Sequence, residues 1–364
     1  MTLRPITGSD ARSPEQREAR ARLVGLQVLR FAAAFAVVLF HIGSGLQLKF
    51  GHQSNMLGMG AVGVDIFFVI SGFIIAYTTD PKKGAWSFSM RRIVRIVPLY
   101  WTLTIGIVAI AMIRPSLLNS TLVNGETLLK SLFFIPFAKT NGAVQPLLFL
   151  GWTLNYEMFF YAVYAVCIAM GLRGPVPPAI VIVTLVIVGR FVTVDNIAWR
   201  FYTNPLILEF VFGICVYLLH ARFPRLFQTR TKVILGIFVA SLFVRELTPN
   251  LHWIFANGIP AAVLVAATLS WRPRQTPMIV FVVLLGDASY SLYLSHPYIV
   301  QALVAALPEG AGLVPQVGVG IAASVISIAV SILLYRIIER PAQTLLNGWL
   351  GARKRNLPAA HATP

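Results

Sequence analysis

The chain has 364 residues, of which 57% are hydrophobic and only 12% charged, with a formal net charge of +17. Soluble domains carry about a quarter charged residues, so this composition excludes that class, and a mean hydropathy of +0.75 points to a bilayer. The basic excess does not imply a nucleic-acid partner, because Lys and Arg cluster in short segments between apolar runs, the pattern of membrane topology.

Residues 1–22 are polar and Arg-rich. They are expected to form a flexible cytoplasmic tail and not a cleavable signal, since the apolar run that follows is long enough to span. Apolar runs of helical length then occur at 24–43, 59–78, 97–113, 150–170, 177–194, 203–220, 232–247, 252–270, 280–305 and 314–337. The expected fold is therefore all-α, a polytopic membrane protein of about ten transmembrane helices. Its bundle would occupy 23–340, and 341–364 would form a second cytoplasmic tail too short for a folded domain. With both termini inside, the inner segments collect most of the basic residues, among them Lys82, Lys83, Arg91, Arg92, Arg95, Arg222, Arg225, Arg272, Arg274, Arg336 and Arg340. The outer ones keep only Lys49, Arg114, Lys130, Lys139, Arg200 and Arg245. No internal repeat is visible, which weighs against transporter folds built from related halves. Cys167 and Cys215 fall in apolar runs and form no zinc or redox motif.

The first run, LVGLQVLRFAAAFAVVLFHIG, carries Arg30 and His41. On one helix they stand roughly 16 Å apart along the axis. Charge in hydrocarbon costs several kcal/mol, so such residues normally face a bundle interior and mark function. The plainer alternative makes Arg30 a cytoplasmic-end anchor and His41 an interface residue. The second run, GVDIFFVISGFIIAYTTD, places Asp65 near its outer end and Gly72 seven residues on, on the same face, where a small residue lets another backbone or a ligand approach.

Next comes SFSMRRIVRIVPLYW, in which Arg91, Arg92 and Arg95 fall three and four residues apart as one patch at the cytoplasmic boundary. It is either a topological anchor or a phosphate site, since guanidinium forks suit phosphate oxygens. The long segment 114–149 is expected outside, with 126–137 as an amphipathic interfacial helix or a partly re-entrant piece that packs on the surface or lids an outer-leaflet site. The fourth run opens GWTLNYEMFFYAVY and buries Glu157, a carboxylate that must be paired, protonated or catalytic. Trp152, Tyr156 and Tyr161 lie beside it, and for Trp152 an interface role is the default. Glu209 sits at a similar depth in the sixth run. The ninth holds Ser289, Ser291, Ser295 and His296, with Pro297 expected to kink the helix and free a carbonyl. By depth, His41, Asp65, Glu157, Arg190, Glu209 and His296 fall at one outer level, which suggests a hydrated cavity open outward, with Arg30 and the 91–95 cluster on a route from the cytoplasm.

The ordered set LRFAAAFAVVLFHIG, GVDIFFVISGF, RRIVRIVPLYW, WTLNYEMFFY, SYSLYLSHP and IIERPAQ covers nearly the whole chain. It resembles the acyltransferase-3 family of integral-membrane acyltransferases, in particular those acetylating exopolysaccharide and O-antigen. The resemblance implies transfer of an acyl group, usually acetyl, from cytoplasmic acyl-CoA to a sugar hydroxyl beyond a bacterial cytoplasmic membrane. It implies acetyl-CoA or another acyl-CoA as donor substrate, no metal, and a polysaccharide or lipid-linked saccharide as acceptor. Membrane lipid surrounds such a protein, and polysaccharide-assembly proteins are its expected companions. Combined with the depths above, it assigns the phosphates to Arg91, Arg92 and Arg95, and base or acyl-acceptor chemistry to His41. Glu157 or Asp65 would orient the imidazole, and Arg30 would stabilise charge on the thioester oxygen. Trp152, Asn155, Tyr156, Glu209, Ser295 and His296 would face the acceptor. Two alternatives compete: a lipid-linked saccharide flippase or exporter, and an acyltransferase acting on lipid or peptidoglycan.

Overall fold

The computed structural model describes residues 14–113, 123–229, 236–237, 254–271, 273–274 and 276–355. Among them every regular element is helical, and extended pairing is limited to an isolated bridge between Ala138 and Val144. Helix α1 (Pro14–Phe50) is the hub, packing against α2 (Gly63–Thr78) and against four helices from the far end of the chain. It is already helical at Pro14, inside the stretch assigned to the N-terminal tail. Its apolar part, Val24–Phe50, rises about 40 Å at 1.5 Å per residue and so overreaches a hydrocarbon core of about 30 Å. The projecting end is tied down: Lys49 Nζ donates to the carbonyls of Val304 (3.1 Å) and Ala305 (2.8 Å). A cation there also complements the negative end of a helix dipole.

Helix α3 (Gly84–Ile113) is longer than the run at 97–113 suggested, because it continues through Pro98 and carries the whole arginine cluster. Proline removes one backbone donor, and a neighbouring helix stitches the region, with the Tyr290 hydroxyl donating to Ile96 O at 2.8 Å. Helix α4 (Gly125–Leu132) covers only 126–132 of the expected amphipathic stretch 126–137 and is begun by a reciprocal cap between Asn124 and Thr127. Lys130, one turn on, hydrogen-bonds the Glu126 carboxyl and holds it below its ordinary value. The Tyr100 hydroxyl donates to Ser131 O at 3.0 Å, which seats α4 against α3. The middle of the chain supplies α5 (Trp152–Ala169), α6 (Val176–Phe191), the short α7 (Ile197–Tyr202), α8 (Leu208–Arg222) and α9 (Pro224–Thr229).

The tightest pairing is α2 with α8. A Cβ on Gly72 would lie 2.0 Å from Phe210 O, and one on Gly213 would lie 2.1 Å from Val69 O. Only glycine lets these backbones touch, as the Asp65–Gly72 face anticipated.

The far end of the chain comprises α10 (Ile259–Ser270), α11 (Pro277–Asp287), α12 (Ser289–Ala306), α13 (Leu313–Leu334) and α14 (Arg340–Arg355). The run 280–305 is broken, but not where Pro297 stands. The chain bends 70° between α11 and α12, and Pro297 lies within α12. The physical cause is docking onto α1: Gln27 Nε2 donates to Asp287 at 2.6 Å, and a Cβ on Gly286 would lie 2.2 Å from Gln27 O. A π-turn, Tyr335–Glu339, joins α13 to α14, so the helix continues into the stretch assigned to the C-terminal tail.

Among the described residues five helices are long and apolar enough to cross a membrane, six if α11 and α12 count as one bent span, and 176–191 and 255–269 are shorter apolar helices. Of the ten expected runs, 232–247 lies outside the described residues apart from 236–237. Large apolar side chains such as Ile105, Met112, Val314, Ile321 and Val325 face outward, as on helices whose surroundings are lipid.

Candidate active site

A cavity of about 430 Å³ opens among α1, α2, α3, α5, α12 and the π-turn before α14. Its wall carries five basic side chains, Arg30, Lys83, Arg91, Arg92 and Arg95, against three acidic ones, Glu157, Asp287 and Glu339. The surplus of positive charge suits an anionic ligand. All three arginines of the α3 patch line it together, as their spacing predicted. Arg92 is wedged over the rings of Phe88 (5.8 Å) and Tyr161 (5.9 Å), and its buried Nε has no hydrogen-bond partner among the described residues.

The acids are held individually. Glu157 accepts from the Ser71 hydroxyl at 3.0 Å and from the Tyr161 hydroxyl. Glu339, on the π-turn, accepts from the Ser291 hydroxyl. Arg30 Nη1 donates to Gln27 Oε1 at 3.1 Å, and Gln27 in turn donates to Asp287. Thus the guanidinium is anchored through an amide and not by direct pairing.

Phe67, Thr153 and Tyr293 also line the cavity. The Thr153 and Tyr293 hydroxyls bond at 3.0 Å, and the Tyr293 ring lies 6.3 Å from the ring of His296. Neither histidine lines the cavity, but beside Tyr293 the His296 Nε2 faces His41 Nδ1 at 3.2 Å. His41 Nδ1 also lies 2.9 Å from Val37 O, and His296 Nδ1 lies 2.9 Å from Leu292 O. His296 is fully buried, whereas His41 is partly accessible and rests against Phe40 and Phe149.

The structure therefore divides the six groups that depth had placed at one level. His41 and His296 meet, and Glu157 belongs with the basic cavity. Asp65 and Glu209 interact with each other at the α2–α8 seam and line no part of the cavity. Arg190 is exposed in the last turn of α6. The cause is rotation about each helix axis, which depth cannot report. Neither Glu157 nor Asp65 contacts His41; its ring nitrogen is engaged by Val37 O and His296 instead.

The expected acceptor-facing set also separates from the cavity. Tyr156 stacks on Phe201 at 4.1 Å in the core, and Trp152 packs edge-on to Phe68 and Tyr156. Asn155 is fully buried with neither side-chain polar atom partnered among the described residues. Ser295 turns back to its own helix, donating to Ser291 O at 2.8 Å. Gln27, Thr153, Asp287, Tyr290, Tyr293 and Glu339 line the cavity without having been singled out. Asp287 and Glu339 did carry a signal, the first being an acid inside the apolar run 280–305 and the second an acid just past the run 314–337.

An acyltransferase domain model, acyltransferase-3, matches residues 23–336. The exopolysaccharide production protein ExoZ of Rhizobium meliloti (strain 1021) is 36% identical over 319 residues, 84% of this chain and 94% of that protein. The acyltransferase MdmB of Streptomyces mycarofaciens is 26% identical over 77% of this chain and 79% of its own length. The O-acetyltransferase OatA of Staphylococcus aureus (strain NCTC 8325 / PS 47) is 24% identical over 75% of this chain, which spans half of OatA. No solved structure matches. A domain match across most of the chain, joined to a relative at 36% identity along nearly its whole length, means that the chain belongs to the acyltransferase-3 family.

Proposed function

We propose that this protein transfers an acetyl group from cytoplasmic acetyl-CoA to a hydroxyl of an envelope or extracellular polysaccharide, as a ten-span protein of a bacterial inner membrane with both termini inside. The observation that carries the proposal is the basic cavity whose lining residue Tyr293 packs against His296 of the His41–His296 pair. Membership in an acyltransferase family favours the enzyme over the saccharide exporter, and the similarity to ExoZ points to exopolysaccharide as acceptor.

In this mechanism Arg91, Arg92 and Arg95 take the CoA phosphates at the cytoplasmic mouth, and the pantetheine arm runs inward past Arg30 and Glu157. Because α1 is unbroken, Arg30 and His41 remain about 16 Å apart along its axis. They are too distant to act on one carbonyl, so Arg30 guides the arm and does not hold the thioester oxygen. The wall of Phe67, Thr153 and Tyr293 shifts aside for the thioester to reach His41. In direct transfer the sugar hydroxyl oxygen attacks the thioester carbon while His41 removes its proton; the C–S bond breaks, and His41 returns the proton to the departing thiolate. In the two-step route a His41 nitrogen attacks first, the C–S bond breaks and CoA leaves as the thiolate; the sugar hydroxyl oxygen then attacks the acyl carbon, the N–C bond breaks, and the freed ring nitrogen takes the hydroxyl proton and releases it to the thiolate or to water. Both routes need a lone pair on His41 facing the reactants.

Membranes carrying the protein, supplied with radiolabelled acetyl-CoA and saccharide acceptor, should pass label into glycan. Saccharide translocated with no label transferred would restore the exporter. Mass spectrometry of envelope glycans from cells with and without the gene then distinguishes exopolysaccharide from lipid or peptidoglycan as acceptor.

A further inference from the structure

We propose that His296 is the positioning residue of this reaction: it fixes the proton of His41 on Nδ1 and so leaves Nε2 as the reacting nitrogen. The inference rests on the role proposed for His41, and it replaces the carboxylate that the sequence led one to expect there.

The hydrogen-bond geometry assigns the protons. A carbonyl oxygen only accepts, so His296 Nδ1, 2.9 Å from Leu292 O, carries a hydrogen. By the same rule His41 Nδ1, 2.9 Å from Val37 O, carries one. His296 Nε2 and His41 Nδ1 face each other at 3.2 Å, and two N–H groups cannot point at one another across that gap. His296 Nε2 is therefore the acceptor, and the His41 Nδ1–H is shared between it and the Val37 carbonyl. A neutral imidazole has only one N–H. His41 Nε2 thus keeps its lone pair, and no contact with a described side chain occupies it.

Burial makes the arrangement rigid. His296 is fully enclosed on α12, its ring set by Leu292 O within its own helix. His41 is the partly accessible member, so the enclosed ring orients and the accessible one reacts. As His41 takes a proton or an acyl group, positive charge develops on its ring. Two acceptors already aimed at Nδ1–H stabilise that charge without reorganisation. His296 itself takes no proton and forms no bond to substrate.

The test uses the full chain in lipid nanodiscs. His296→Phe removes the acceptor while keeping an aromatic ring, and it should lower kcat for acetyl transfer about 100-fold with KM for acetyl-CoA unchanged, within the range a positioned general base contributes. His296→Gln places an amide oxygen near the lost Nε2 and should recover at least about tenfold of that loss, whereas His296→Asn is too short and should recover none. Nitrogen-15 histidine spectra, assigned by difference with His41→Gln, should show His41 as the Nδ1–H tautomer in wild type and as a mixture in His296→Phe. A residue that works only through His41 adds nothing once His41 is gone, so His41→Ala with His296→Phe should be no slower than His41→Ala alone.

Unchanged kcat and tautomer in a folded His296→Phe protein would overturn the proposal, as would a rise confined to KM. Should the Phe variant not insert, equal activities of the Gln and Asn variants overturn it instead. An inactive His41→Ala beside a fully active His296→Phe removes only the positioning role; an active His41→Ala removes the reaction scheme beneath it.

Discussion

Replacing Arg92 by Gln probes the basic cavity most directly. Its guanidinium is held over the Phe88 and Tyr161 rings at 5.8 and 5.9 Å, contacts that contribute about 0.5–1 kcal/mol each at accessible sites. Those rings fix the side chain but do not satisfy its buried Nε, which has no hydrogen-bond partner among the described residues. That donor is left for a ligand. A hydrogen bond from a charged donor contributes about 1.5–3 kcal/mol. At about 1.4 kcal/mol per tenfold, losing it should raise the Kd for CoA about 10- to 150-fold. Gln retains a polar end without charge, so the loss reports the phosphate contact more than the packing. Arg92→Lys keeps the charge without the planar fork and should fall between the two. Calorimetric titration of CoA into nanodisc-embedded protein measures all three, and Arg95→Gln should follow Arg92→Gln, with KM for acetyl-CoA rising in parallel. Dephospho-CoA, with less charge to bind, should narrow the gap between wild type and variants. Normally inserted Arg92→Gln and Arg95→Gln proteins that bind CoA as tightly as wild type would refute the phosphate site and leave the cluster as a topological anchor.

Four further outcomes are expected. His41→Ala should insert normally, since α1 stays long and apolar, yet lose at least 10²–10⁴-fold in acetyl transfer, in the range of a lost general base; near-normal transfer by a well-expressed variant would remove the centre of the mechanism. Labelled acetyl-CoA without acceptor should leave label on His41 only if the route has two steps, and peptide mapping reads this directly. Gly72→Val should drive its Cβ into Phe210 O, 2.0 Å away in the unrelaxed structure, and destabilise the α2–α8 pair by about 1–3 kcal/mol or more; an unchanged Tm in detergent would mean that the seam is not tight. A reporter active only outside the cytoplasm should stay silent when fused after residue 85, 225 or 360 and respond after residue 142, and an active fusion at 360 would require an odd number of spans.

Much of this protein was legible in its sequence because a bilayer imposes one-dimensional rules. Apolar run length marks where helices lie, as at 59–78 and 314–337, since an unpaired backbone is not tolerated in hydrocarbon. Charge spacing brought Arg91, Arg92 and Arg95 to one wall, because residues three and four apart share a helix face. The ordered motifs identified the family that the domain match then established.

Depth along a span is a sequence property, but the direction in which a side chain points around the bundle is not. Only packing decided that Asp65 meets Glu209 at a glycine-lined seam while Glu157 turns to the arginines. Packing also decided that the chain bends at Ala288, where Gly286 and Asp287 dock on Gln27, and not at Pro297. The same holds for His41, whose partner is not a carboxylate anticipated from depth but a second histidine 255 positions away. That pairing required α1 and α12 to lie side by side, and contact between distant helices is set by how their surfaces interlock, a three-dimensional fit that no local pattern in the chain encodes.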